Sequence, residues 1–409
     1  MDSTPRGNRL HIAIFGRRNA GKSSLINALT NQDIAVVSNV PGTTTDPVYK
    51  AMEILPVGPV VIIDTAGIDD TGDLGQLRVQ RSLDILNKAD MVLLVIDAEA
   101  GVTEFEEDIA RRCQEKKLPM VVVLNKIDAH PVTAKDLADI KEKLGLEPVA
   151  VSALTKQGIG ELKISLVKTA PPSWDEQTIV GDLLNPGDLA VLVVPIDLAA
   201  PKGRLILPQV QTIRDILDHD AMAYVVKERE LKECISTLNK KPKIVITDSQ
   251  AFLKADADTP PDVLLTSFSI LFARYKGDLE SLVAGAKAIG RLKPGDKVLI
   301  AEACSHHRME DDIGTVKIPR WLRQIVGGEL NFSWSSGHRF PEDLSEYKLV
   351  VHCGSCMINR REMLSRIMQV QQAGVPIVNY GVCIAYVQGI LRRVLSPFPM
   401  IQELLDDEE

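Results

Sequence analysis

The chain has no long hydrophobic run. Its longest apolar stretches, such as Met91–Ile96 and Ala190–Ile196, are far short of the ~20 residues a bilayer span requires. Met1–Arg9 lacks the apolar core of a secretory signal. Both absences point to a cytoplasmic protein without a membrane partner. Cysteine is scarce, six in 409 residues, too few for a disulfide framework. Aromatics are only 4%, and the formal charge is −8, so neither a stacking platform nor a basic face for nucleic acid is evident. What remains is a 45% hydrophobic, 25% charged chain of a length that suggests two to three domains.

From Leu10 to Lys168, β-rich runs alternate with helical periods. Strands are expected at Leu10–Phe15, Val60–Ile63, Met91–Asp97, Met120–Asn125 and Pro148–Val151. Buried strands separated by helices predict an α/β fold with a mostly parallel sheet. A linker is expected at Thr169–Val180. A second α/β stretch has strands at Leu189–Ile196, Ala223–Val226 and Lys243–Thr247, and a break at Ala255–Pro261 closes it. The last stretch has strands at Lys297–Ala301, Lys348–Val351 and Val375–Asn379. The expected organisation is a P-loop domain over 1–170 and two smaller α/β domains over 178–260 and 261–409. Pro-Gly-Asp precedes a strand at both Pro186 and Pro294, but the similarity stops there and reads as no repeat.

Gly16-Arg17-Arg18-Asn19-Ala20-Gly21-Lys22-Ser23 fits GxxxxGK[ST] between a strand and a helix. Its glycines let backbone N–H groups wrap a phosphate, Lys22 faces the β and γ phosphates, and the Ser23 hydroxyl ligates Mg²⁺. Asp64-Thr65-Ala66-Gly67 follows the next strand: Asp64 holds Mg²⁺ through water, and the Gly67 N–H faces the γ phosphate. Asn125-Lys126-Ile127-Asp128 ends another strand. The Asp128 carboxylate matches the guanine N1–H and 2-amino donors, a pairing that adenine lacks. Ser152-Ala153-Leu154 offers a backbone N–H to guanine O6. All four motifs fall at predicted C-terminal strand ends, where open α/β sheets bind ligands. Between the first two lies Pro41-Gly42-Thr43-Thr44-Thr45-Asp46, and Thr44 is the residue expected to close over Mg²⁺ and γ phosphate while GTP is bound. These residues specify a GTP-hydrolysing domain.

This domain resembles the GTPases of the group containing Era, EngA and MnmE, through Asn19-Ala20-Gly21-Lys22-Ser23-Ser24, Gly42-Thr43-Thr44 and Asp64-Thr65-Ala66-Gly67-Ile68. Position 68 is Ile where Ras-like enzymes carry a water-orienting Gln, so slow hydrolysis is expected. In MnmE-like members the P-loop asparagine, here Asn19, binds K⁺. The resemblance thus implies K⁺ stimulation.

A second constellation is Cys304-Ser305-His306 and His352-Cys353-Gly354-Ser355-Cys356, each just after a strand-like run. Three thiolates can hold a [4Fe–4S] cluster with one open iron corner, or Zn²⁺ as Cys₃His. Spacing does not choose between them. His306, His352 and the more distant Asp197 are candidate fourth ligands. Cys383 reads as a packed thiol, His307 as solvent-facing, and His338 as a remote possibility.

The order of these parts, with the segments Val194–Asp197 and Pro201–Gln209, resembles the HydF family of [FeFe]-hydrogenase maturation GTPases over nearly the whole chain. That resemblance implies a [4Fe–4S] cluster on Cys304, Cys353 and Cys356, a dimerising middle domain and a homodimer. It also implies a transient diiron precursor, built with two radical-SAM maturases and delivered to apo-[FeFe]-hydrogenase. The competing expectation is an RNA-modification or ribosome-assembly GTPase with a structural zinc site.

Overall fold

A computed structural model describes residues 9–30, 48–55, 57–65, 83–171, 178–195, 205–303, 312–337, 340–341 and 343–405. Thr44, Gly67, Asp197, Cys304, His306, His307 and His338 lie outside the described residues. The chain divides into two compact units, Met1–Glu176 and Gln177–Glu409.

The first unit is one six-stranded sheet: β1 (Leu10–Phe15), β2 (Val48–Ile54), β3 (Gly58–Asp64), β4 (Met91–Asp97), β5 (Met120–Asn125) and β6 (Val149–Ala150). The order is β2-β3-β1-β4-β5-β6. Only β2 runs antiparallel to its neighbour. β1 and β5 are buried along their whole length, because apolar residues cover both faces. Leu10, Ile12 and Ile14 enter one core and Ala13 and Phe15 the other, as period-two alternation demands.

The second unit holds two four-stranded parallel sheets. One contains β7 (Leu189–Val193), β8 (Met222–Val226), β9 (Ile244–Thr247) and β10 (Leu264–Ser267), ordered β10-β9-β7-β8. Sequence reading ends this stretch at Pro261, but β10 lies beyond that break. Its four residues run directly into the helix Phe268–Lys276, so no turn signal separates them. The other contains β11 (Lys297–Glu302), β12 (Asn331–Ser336), β13 (Leu349–His352) and β14 (Ile377–Asn379), ordered β12-β11-β13-β14. One continuous hydrophobic core takes residues from both sheets, from Ile179 to Phe398. Asn379 Nδ2 donates to the Ser269 carbonyl at 2.9 Å and Lys317 Nζ to Gln250 Oε1 at 2.5 Å, so polar bonds also join the two halves.

Numbered within each sheet, both orders are 2-1-3-4. The shared Pro-Gly-Asp turn marks a structural repeat, contrary to the sequence reading. Gly187 and Gly295 both adopt left-handed φ, 79° and 90°. Their N–H groups donate to Asp220 O and Glu329 O at 2.7 and 2.8 Å. The Asp188 and Asp296 carboxylates each accept the N–H three residues back, from Asn185 at 3.0 Å and Lys293 at 2.8 Å. Their carbonyls accept the first N–H of the edge strand, Met222 at 2.7 Å and Asn331 at 2.9 Å. The topology and this turn are retained without sequence likeness beyond the tripeptide, because a parallel sheet constrains register and apolarity rather than residue identity.

Gly285 lets its helix touch β14 directly: a Cβ there would lie 1.9 Å from Ile377 O. Gly285→Ala is therefore expected to destabilise the second unit by about 2–3 kcal/mol through overpacking. Urea unfolding followed in that unit measures the loss, while nucleotide binding by the first unit stays unchanged.

Candidate functional site

The P-loop leaves β1 at Gly16, where a Cβ would meet Val95 O at 2.4 Å. The loop crosses Asn19 in a left-handed conformation (φ 64°), which asparagine tolerates. It re-enters at Gly21, φ 87°, where a Cβ would lie 2.3 Å from Asn125 Nδ2. The helix Lys22–Thr30 then begins, with Ser23 and Ser24 exposed. Lys22 Nζ lies on the carbonyls of Gly16 and Arg17, so its charge sits inside the loop that a triphosphate would fill.

Asn125 holds two of the motifs together. Buried at 1% exposure, its Nδ2 donates to Ala20 O at 2.9 Å and its Oδ1 accepts from the Ala153 N–H at 3.1 Å. The Ser152 hydroxyl accepts from Thr155 N at 3.0 Å and shapes that last loop. Lys126 pairs with Asp97 at 2.7 Å. Burial alone would raise the Asp97 carboxyl, but hydrogen bonds from Lys126 and from backbone N–H groups outweigh it and hold the group below its ordinary range. Asp128 stays exposed at the mouth. Asp64 ends β3 beside Ile14 of β1, is buried, and has Lys50 Nζ at 3.8 Å. Thr65 Oγ1 donates to Ile14 O at 2.6 Å. The structure thus gathers Gly16 to Ser24, Asp64, Asn125 to Asp128, Ser152 and Ala153 along one sheet edge.

Sequence reading misses Arg17 and Glu106. Arg17 Nε donates to the fully buried Glu106 carboxylate at 2.9 Å, and its Nη2 donates to Gly101 O at 2.6 Å. Glu106 also caps its own helix, Glu104–Glu115, by accepting the Thr103 N–H at 2.8 Å. The Thr103-x-x-Glu106 capping box was the available signal.

The second site lies in the β11/β13 crevice. The chain passes from β11 to β12 on one side and to β13 on the other, and a parallel sheet opens a crevice at that reversal. Ala301 and His352 are register partners. The Cys353 N–H donates to Ala301 O at 2.9 Å, and Cys353 Sγ accepts the Ala303 N–H at 3.1 Å. Ala303 immediately precedes Cys304 in the sequence. Burial pushes the Cys353 thiol above its usual range. Ser355 takes a left-handed φ of 58°, and its hydroxyl reaches Cys353 O at 3.3 Å and Met363 Sδ at 2.9 Å. Cys356 is half-buried. Among the described residues, no three cysteine, histidine or acidic side chains converge in a metal-binding group.

His352 is fully buried with both ring nitrogens engaged. Nε2 faces Arg366 Nη1 at 3.2 Å and Nδ1 faces Cys353 O at 2.9 Å. A guanidinium only donates, so Nε2 accepts and the proton sits on Nδ1. His352 would have to surrender Arg366 to ligate a metal through Nε2. Arg366 is itself held by Glu362 at 2.8 Å and Gly337 O at 2.8 Å. Glu362 lies in the first turn of the helix Arg360–Gln372, which Asn359 caps. Beside this site, Tyr380 Oη donates to the buried Glu302 carboxylate at 3.2 Å. Burial, then the Glu302 charge, holds the Tyr380 phenol well above its ordinary range. Cys383 is a core thiol pushed up to about 12 by burial. Among the described residues, no helix is long and apolar enough to cross a membrane.

The fold and the nucleotide cradle define a P-loop GTPase, which uses GTP with Mg²⁺. A family model described as 50S ribosome-binding GTPase matches residues 11–126. The tRNA modification GTPase MnmE of Moorella thermoacetica is 43% identical over 159 residues, 37% of this chain and 33% of that protein. MnmE of Nitrosomonas europaea is 36% identical over 162 residues, 39% and 35% of the two chains. GTPase Der of a Cyanothece species is 35% identical over 178 residues, 42% and 38%. The chain spans about a third of the length of these curated relatives. Models described as Hydrogen maturase F dimerization and tetramerization domains match residues 179–277 and 280–397, together more than half of the chain. The chain belongs to the hydrogen maturase F family.

Asn125→Ala strands the buried Ala20 carbonyl and leaves the Ala153 N–H without its partner. At about 1–3 kcal/mol for each such group, GTP affinity is expected to fall at least about 10-fold, as measured by fluorescent-nucleotide titration.

Burial first, then the Arg366 charge, depresses His352 from 6.5 to about 3. The unfolded state therefore binds more protons between those values, and stability falls as pH drops below about 6.5. At pH 5 the expected loss is about 2 kcal/mol. Urea unfolding at pH 7.5 and 5.0 should show this loss reduced in His352→Gln. Equal losses in both proteins would exclude His352 as the source.

Proposed function

We propose that this protein is a GTPase that carries a [4Fe–4S] cluster on Cys304, Cys353 and Cys356 and matures [FeFe]-hydrogenase. One observation carries the cluster assignment: the Cys353 sulfur accepts the Ala303 N–H at 3.1 Å, one residue before Cys304, in the β11/β13 crevice. An N–H aimed at sulfur suits a thiolate, and the Cys-x-x-Cys loop offers two sulfurs to one centre. The cluster would supply an iron corner not closed by cysteine. A weakly held fourth position admits exchange that a fourth thiolate would resist. His306 and Asp197 remain candidates for it. His352 is less suited, with both nitrogens engaged.

The diiron precursor is cargo, received from two radical-SAM maturases and delivered to apo-[FeFe]-hydrogenase. GTP regulates association with these partners through Thr44 and the Asp64–Gly67 turn. Hydrolysis is slow, because Ile68 replaces a water-orienting Gln, and K⁺ held by Asn19 stimulates it. The dimerisation and tetramerisation domains of the family support self-association. Among the described residues β8 ends its sheet and exposes Met222, Tyr224 and Val225, which supports it as the surface for dimer formation.

Anaerobically purified protein is expected to be brown, with iron, sulfide and a reducible EPR signal. A colourless protein with one zinc would refute the assignment. Lys22→Ala is expected to abolish GTP hydrolysis with the cluster retained. Cys353→Ala should block hydrogenase activation while hydrolysis continues at the wild-type rate. Equal hydrolysis in Na⁺ and K⁺ would remove the role given to Asn19.

A further inference from the structure

The P-loop carries two consecutive arginines, and the structure gives them different places. The Ala20 N–H donates to Arg17 O at 3.1 Å. Arg17 to Ala20 is therefore a four-residue turn with Arg18 and Asn19 at its two corners. The left-handed φ of Asn19, 64°, suits the second corner of a type II turn. Arg17 is committed to the body of the domain. Its guanidinium spans the buried Glu106 carboxylate at 2.9 Å and Gly101 O at 2.6 Å. Arg18, one residue on, is exposed at the first corner.

Three contacts orient this turn along a triphosphate. At its far end, Asn125 Nδ2 donates to Ala20 O at 2.9 Å, and Asn125 opens the motif assigned to guanine. Ala20 and Gly21 therefore lie toward the nucleoside. At its near end, Arg17 O accepts from Lys22 Nζ at 3.2 Å, and the lysine of a P-loop reaches the β and γ phosphates. Ile14, which leads into Gly16, is in register with Asp64, the residue assigned to Mg²⁺. The first corner of the turn thus stands at the terminal-phosphate end. Other cations around the loop answer carboxylates of the fold: Arg17 pairs with Glu106, Lys50 lies 3.8 Å from Asp64 and Lys126 2.7 Å from Asp97.

We propose that Arg18 is a catalytic residue of GTP hydrolysis, an arginine supplied in cis that binds the γ-phosphate oxygens in the transition state. Water attacks the γ phosphorus. The bond from that phosphorus to the β–γ bridging oxygen breaks, and its electron pair stays on GDP. The water oxygen ends on inorganic phosphate, and its displaced proton passes to phosphate or solvent. Negative charge spreads over the γ oxygens and the leaving oxygen as this happens, and a positioned guanidinium stabilises it. Its planar fork meets two oxygens at once. Some GTPases take this arginine from a partner protein. Here position 68 is Ile, an apolar side chain that cannot orient the water, so charge stabilisation carries more of the catalysis. Arg17 holds the turn from which Arg18 acts. The assignment concerns the first unit alone and does not depend on the cluster.

The test is single-turnover GTP hydrolysis by the full-length protein, beside its affinities for GDP and for GDP with aluminium fluoride, which mimics the phosphoryl group in transfer. One K⁺ concentration is used throughout, so the outcome is independent of the role given to Asn19. Arg18→Ala is expected to hydrolyse GTP about 10²-fold more slowly. Its affinity for GDP with aluminium fluoride is expected to fall in step, while GDP affinity stays within about two-fold of wild type, as for an interaction made only in the transition state. Retained GDP binding also reports that the variant folds. Arg18→Lys is expected to recover part of the loss, since it keeps the charge without the fork. Arg17→Ala is expected instead to weaken GDP and GTP alike, because it unties the turn from Glu106. An Arg18→Ala loss smaller than about ten-fold, or one matched by an equal loss of GDP affinity, overturns the assignment. So does a selective loss of hydrolysis in Arg17→Ala with none in Arg18→Ala.

Discussion

Parallel strands all end on the same side of their sheet, and a crevice opens where the chain order reverses. That constraint acts in all three sheets. Beside β1 it places the P-loop next to Asp64, because Ile14 and Asp64 are register partners. Between β11 and β13 it brings Cys353 against Ala303, although 50 residues separate them along the chain. Between β7 and β9 it forms the repeat counterpart of that crevice, where Asp248 follows β9 as Cys353 follows β13. There the Asp248 side chain caps a short turn by accepting the Gln250 N–H.

Each site depends on a buried polar side chain that joins segments distant in sequence. Asn125 ties the P-loop to the Ser152 loop, so the loops after β1 and β6 are held in register. Arg366 orients His352, which in turn holds the carbonyl of Cys353. These bonds lie in low dielectric, where a satisfied network rigidifies and a broken one is costly. Glu362 and the Gly337 carbonyl hold the Arg366 guanidinium in place. Arg17 and Glu106 follow the same logic at the first turn of the P-loop.

The repeat changes how the second unit is understood. Its halves share one core, so they are two layers of one body rather than two independently packed domains. The family's dimerisation and tetramerisation domains divide that body between residues 277 and 280, where β10 and its following helix end the first copy. Duplicating a 2-1-3-4 sheet duplicates its edge, and an edge strand is the part of a sheet most prone to pair with another chain.

The nucleotide residues were legible because their chemistry is carried by contiguous motifs at strand ends. Lys22, Asp64, Asn125 and Asp128 could be placed from spacing alone. Strands β1, β4 and β5 were legible because burial on both faces requires unbroken apolar runs. β12 was not, since a half-exposed edge strand tolerates Asn-Phe-Ser-Trp-Ser-Ser, and neither was β10, which lacks a turn before its helix. The repeat was hidden because the two halves have only one tripeptide, Pro-Gly-Asp, in common at the shared turn. The amino-acid sequence by itself determined the guanine-nucleotide chemistry and the α/β alternation, since both rest on local residue types. Only tertiary structure decided which cysteine meets which strand, which partners the two nitrogens of His352 take and, among the described residues, which strands end each sheet. Those depend on register between distant segments, and register is set by packing of the whole sheet.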